Sequence, residues 1–120
     1  MNKYFKNIPH IGDLYLDFVF LDYETYPILF TCIDEHKSLF LCLCCEVRSI
    51  RKWVITRCDN DTLKKLIENK IDIKTALCVD KKFIVATMDL SGQIVYQDVS
   101  EEDIDPLDLP DGNVYLKESL

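Results

Sequence analysis

Glu101, Glu102, Asp103, Asp105 and Asp108 form the densest run of like charge in the chain. Carboxylates at that spacing either solubilise a surface or offer a landing site to a basic partner, with a nucleic-acid mimic as the extreme case. Adding Asp98, Asp111 and Glu118 against Lys117 alone, residues 98–120 carry the whole net charge of -7. The remaining 97 residues balance thirteen acidic against thirteen basic side chains. Val99, Ile104, Leu107, Leu109, Val114, Tyr115 and Leu116 interrupt the acidic run. The expectation is therefore a segment that docks back on the body, not a free tail.

A second group with chemical potential is basic. Arg48, Arg51 and Lys52, followed by Trp53 and then Arg57, make the chain's one basic cluster and would suit a phosphate or another small ligand. Aromatic residues form a third group. Ten of thirteen fall within residues 1–53, and Tyr23 and Tyr26 lie off the most apolar stripe, where exposed tyrosines would favour protein contacts. Fourteen basic against twenty-one acidic residues argue against direct nucleic-acid binding, which needs a cationic surplus to displace counterions.

The usual catalytic parts are missing from the sequence. Gly12, Gly92 and Gly112 are isolated, so no glycine-rich phosphate cradle can be built. His10 and His36 have no partner pattern, and the expectation is a non-enzymatic chain with no catalytic residues and no cofactor. Cys42, Cys44 and Cys45 sit in an apolar run with Cys32 on the strand before it, which suits core thiols; no second ligand pair completes a zinc site, so no metal is expected. Cys58, beside Arg57 and ahead of a helix start, is the one thiol whose setting could lower its pKa.

These residues need elements to hold them. Residues 14–20 alternate as a strand would, although a short helix is an alternative, and 22–27 read as a loop ending in proline. Strands follow at 28–33, 39–47 and 51–57, the first two joined by a polar turn over 34–37. Asp59, Asn60 and Asp61 can cap a helix carrying Leu63, Leu66 and Ile67, and Asp72 can cap a second one carrying Ile73, Ala76 and Leu77. Two further strands, 82–88 and 93–99, flank a turn containing Gly92.

The sum is a single α+β domain over residues 1–120, with five or six mainly antiparallel strands and a helical hairpin inserted between strands. Residues 98–120 make an acidic, mostly irregular end packed on it. The N-terminus lacks a signal peptide's apolar core and the longest apolar run, Leu39 to Cys45, is too short to span a bilayer, so a soluble cytoplasmic protein without membrane contact is expected.

Several stretches together resemble a family of small uncharacterised bacterial and phage-borne proteins, a domain of unknown function. They are Pro27-Ile-Leu-Phe-Thr-Cys32, Leu39-Phe-Leu-Cys-Leu43, Trp53-Val-Ile55, Asn69-Lys-Ile-Asp-Ile-Lys-Thr-Ala-Leu77 and an Asp108-Leu-Pro110 ending. The resemblance spans about residues 14–116. It departs at Asn69-Lys70, where glycine is usual, and at Lys74, where arginine is. It implies a unified α+β fold and brings no catalytic residues.

The leading expectation is a protein-interaction or regulatory module, an inhibitor or immunity-type protein of bacterial or phage conflict systems. Its partner would be another protein, met by Glu101, Glu102, Asp103, Asp105, Asp108, Tyr23 and Tyr26. The alternative is a small-ligand or phosphate-binding domain using Arg48, Arg51, Lys52 and Trp53. An exposed sheet edge would also permit a homodimer.

Overall fold

The stretches 28–33, 39–46 and 51–57 are apolar at successive positions, so a sheet built from them must be covered on both faces. The computed structural model describes residues 2–48 and 50–117; Glu118, counted above in the acidic run, lies outside them. Seven strands pair in chain order as one antiparallel meander: β1 (Lys3–Ile8), β2 (Gly12–Tyr23), β3 (Tyr26–Ile33), β4 (Leu39–Glu46), β5 (Arg51–Arg57), β6 (Lys82–Met88) and β7 (Ile94–Ser100). The sheet curls until it is nearly a barrel. Phe5, Ile8 and Leu14 from the first hairpin thereby share one inner core with Phe30, Phe40, Trp53, Ile55 and Ala86, and Tyr96 of β7 packs against the same cluster.

The outer face is closed by other elements. Helices α1 (Asn60–Ile67) and α2 (Ile73–Cys78) lie between β5 and β6 in sequence and bury Leu66, Ile73, Ala76 and Leu77 against Leu29 and Leu41. Asp59 caps α1, its carboxylate accepting the Thr62 N–H at 2.7 Å, and Asp72 does the same for α2 with Thr75 at 2.8 Å. Ile104 from the acidic end joins Val54 and Phe83 under the same cover.

Three expectations need correction. Residues 22–27 are not a loop: β2 runs to Tyr23 and β3 starts at Tyr26, which leaves only Glu24 and Thr25 in the turn. Among the described residues there are seven strands, because Lys3–Ile8 pairs with β2. Its alternation is hidden: register shifts on either side of Phe5 and a left-handed Asn7 (φ 56°) let Phe5 and Ile8 both turn inward at a spacing that period two does not allow. The two helices also do not form a clear hairpin. α2 has six residues, fewer than two turns, which is too short to pair along α1.

Candidate functional site

The meander gives the sheet two ends, and these sort the candidate residues. β1, β3, β5 and β7 finish at what we call the mouth; β2, β4 and β6 finish at the far end. The turn Glu101–Asp103 follows β7 at the mouth, whereas Tyr23 and Tyr26 flank the β2–β3 turn at the far end. A twelve-residue strand such as β2 separates those ends by roughly 35 Å. The acidic and tyrosine candidates therefore do not share one surface.

Most of the acidic run is engaged inside the chain. Asp108 pairs with Lys52 at 2.7 Å, a bond that also holds the Lys52 ammonium above its ordinary pKa. Asp105 accepts the Leu107 N–H at 3.0 Å and starts a 3-10 turn at Pro106–Asp108, and Asp103 accepts the Ser100 hydroxyl at 3.0 Å. Further along, Asn113 donates its N–H to Asp72 at 2.7 Å, and the Ile73 N–H at the start of α2 donates to the Val114 carbonyl at 2.8 Å. Asn69, at φ 61°, accepts the Lys117 N–H at 3.0 Å. Asparagine tolerates this left-handed backbone, and its side-chain amide also donates to the Lys117 carbonyl, clamping the chain there. Residues 103–117 thus form a strap that crosses the outer face of the sheet and then the helices. Glu101 and Glu102 are left exposed at the turn before it.

The basic cluster is divided by the pleat. Arg51 and Trp53 face the inner core, whereas Lys52 lies on the outer face with Asp108. The Arg51 guanidinium is held between the rings of Tyr26 and Trp53, 4.5 Å and 4.7 Å from their centroids, and reaches the Tyr4 hydroxyl at 3.4 Å. It closes the far end of the curl. Arg48 is exposed in the turn after β4. The four residues Arg48, Arg51, Lys52 and Trp53 do not converge.

Tyr26 is therefore tied to Arg51, but Tyr23 is 58% exposed and has company. β1 pairs with β2 only along Gly12–Tyr15, with one more bond from the Leu16 N–H to the Asn2 carbonyl. Beyond Leu16, among the described residues, β2 has a strand partner on the β3 side only. That stretch carries Phe18, 59% exposed, and Leu21, 39% exposed, while Phe20 sets its ring edge-on to Phe18 at 5.0 Å. Sequence alternation does not reveal this patch, because the β2–β3 register shifts three times and the extra residues at Asp17 and Phe20 rotate Phe18 and Leu21 away from the inner core. Asp17, Asp22 and Glu24 flank it.

The cysteines are free, and burial governs them. Burial raises the Cys42 and Cys44 thiols, pushes Cys45 up to about 12, and with the adjacent Asp59 carboxylate pushes Cys58 up to about 11. The sequence setting of Cys58 suggested the opposite direction. Arg57 instead leans over the Phe40 ring, 4.9 Å from its centroid. Ellman's reagent at pH 7.5 should accordingly label the native protein without a fast phase and reach all six thiols only in denaturant. A fast native phase assigned to Cys58 would contradict this setting.

Among the described residues no group of three or more His, Cys, Asp or Glu side chains is placed to hold a metal ion, and no helix is long and apolar enough to cross a membrane. No family model, curated protein or solved structure matches this chain.

Proposed function

We propose that this chain is a non-enzymatic protein-interaction module, of inhibitory or immunity type, that holds its partner with the far end of the β2–β3 hairpin. Membership of the resembled family of small bacterial and phage-borne proteins belongs to the same proposal. The observation that carries it is the exposure of Phe18, Leu21 and Tyr23 together on the stretch of β2 that β1 leaves uncovered. Large apolar side chains on a free sheet edge gain most by desolvation in a complementary cleft, and aromatic anchors commonly dominate such contacts. Asp17, Asp22 and Glu24 around them specify a partner whose apolar cleft is rimmed by Lys or Arg.

A photo-reactive phenylalanine at position 21 should give one discrete adduct with a second protein in cells of the source organism. The same probe at position 64, on an exposed site of α1, should give none. Adducts from both positions, or from neither, would overturn the proposal. An adduct consisting of two copies of this chain would replace it with self-association.

A further inference from the structure

The mouth holds a second constellation, independent of the hairpin. The β4–β5 register sets Phe40 beside Arg57, and the β6–β7 register sets Lys82 beside Ser100. Continuing the Ile55–Ile84 pairing by two residues brings Arg57 opposite Lys82, and the Thr56 hydroxyl bond to the Lys82 carbonyl at 2.9 Å fastens that end. Phe40 and Ile55 belong to the inner core, so alternation turns Arg57 and Lys82 to the same inner face. Both line an open-ended cavity of about 590 Å³; the half-buried Ile11 and Ile84 give it apolar wall that solvent reaches, with Phe40 and Ile55 fully buried behind them.

Two cations directly opposite each other on neighbouring strands are destabilising unless something neutralises them. Among the described residues neither Arg57 nor Lys82 has a carboxylate within ion-pair distance. Carboxylates do line the same cavity: Asp98, one row inward opposite Ile84, Asp103 in the turn beyond Ser100, and Asp80 before β6. Lys82 and Asp98 are thus diagonal neighbours, which places their backbones roughly 7–8 Å apart. A simple anion would meet Asp98 and Asp103, and a simple cation would meet Arg57 and Lys82. A molecule carrying both charges on adjacent atoms satisfies the two sides together, and its apolar part can lie against Ile11 and Ile84.

We propose that the mouth binds a small zwitterion with an apolar body, an α-amino acid with an apolar side chain. Arg57 and Lys82 take its carboxylate through charge-assisted hydrogen bonds. Asp98 and Asp103 take its ammonium group. The neighbouring His10 turn forms the opposite wall. The hairpin patch lies at the other end of the strands, so either site can fail without the other.

The test is a heteronuclear NMR titration of the full chain with L-phenylalanine and L-leucine, alongside 3-phenylpropionate as anion only and phenethylamine as cation only. The amino acids should shift the amides of Ile55, Arg57, Ile84 and Asp98 saturably and bind at least tenfold more tightly than either single-charge probe. Arg57→Gln and Asp98→Asn should each weaken L-phenylalanine at least tenfold; both positions are exposed, and an unchanged thermal melt shows that each variant folds. Equal binding of 3-phenylpropionate and L-phenylalanine, an unaffected Asp98→Asn variant, or shifts confined to other residues would overturn the proposal.

Discussion

Replacing Trp53 with alanine should cost about 4 kcal/mol of unfolding free energy, within the range for removing a fully buried indole. Trp53 is 1% exposed at the centre of the inner core, with the Phe5 ring edge-on at 5.4 Å, Tyr4 at 6.4 Å and the Arg51 guanidinium over its face. Truncation removes the surface on which the β1–β2 hairpin packs and loosens the Arg51 plug together. Trp53→Phe should behave differently. The indole N–H has no hydrogen-bond partner among the described residues, so phenylalanine removes a buried donor while keeping an aromatic face for Arg51. A net loss of about 1 kcal/mol is expected, because the relieved donor offsets part of the lost volume. Trp53 is the sole tryptophan, so urea unfolding should be followed by far-UV circular dichroism. Equal losses for the two variants would show that ring packing does not organise this core.

Asp72→Ala should be the most damaging single change among the polar residues, at about 2 kcal/mol for one helix cap and one further hydrogen bond. One carboxylate oxygen accepts the Thr75 N–H and the other the Asn113 N–H, so a single side chain starts α2 and pins the strap. Hydrogen bonding from the Thr75 side chain and then from the Asn113 backbone holds this carboxyl below its ordinary pKa. The folded pKa is the lower one, so the stabilisation is complete above the unfolded value of about 3.9 and is lost as pH falls through the folded value. Between pH 7 and pH 3 the wild-type advantage over Asp72→Ala in thermal melting should shrink, whereas Asp61→Ala, on an exposed i,i+4 pair with Lys65, should change little at any pH. A constant gap across that range would remove the ionised carboxylate from the account.

Local chemistry made much of this fold legible. The runs at 51–57 and 82–88 are strands to the residue, and Asp59 and Asp72 cap the two helices as their types suggest. What escaped was set by register. Shifts around Phe5 and at Asp17 and Phe20 are properties of a pair of strands, invisible in either strand alone. The same holds for the sites. Arg51 and Lys52 are adjacent in sequence yet on opposite faces, whereas Arg57 and Lys82, twenty-five residues apart, line one cavity. In the acidic end, Ile104, Leu109 and Leu116 pack against the two outer-face clusters. The sequence could not tell that Asp108 and Lys52 neutralise each other, while Glu101, Glu102 and Asp103 stay exposed at the turn.

The hairpin as contact surface is the central claim, and competition against the position-21 photo-adduct tests it most directly. Unlabelled wild-type chain and a Glu101→Lys/Glu102→Lys variant should suppress the adduct at equal concentration. A Phe18→Ser/Tyr23→Ser variant, with the same melting behaviour because both side chains are exposed, should need at least ten times more. Full competition by Phe18→Ser/Tyr23→Ser, with loss of competition in the charge-reversed chain, would move the contact surface from the hairpin to the acidic turn and contradict the account.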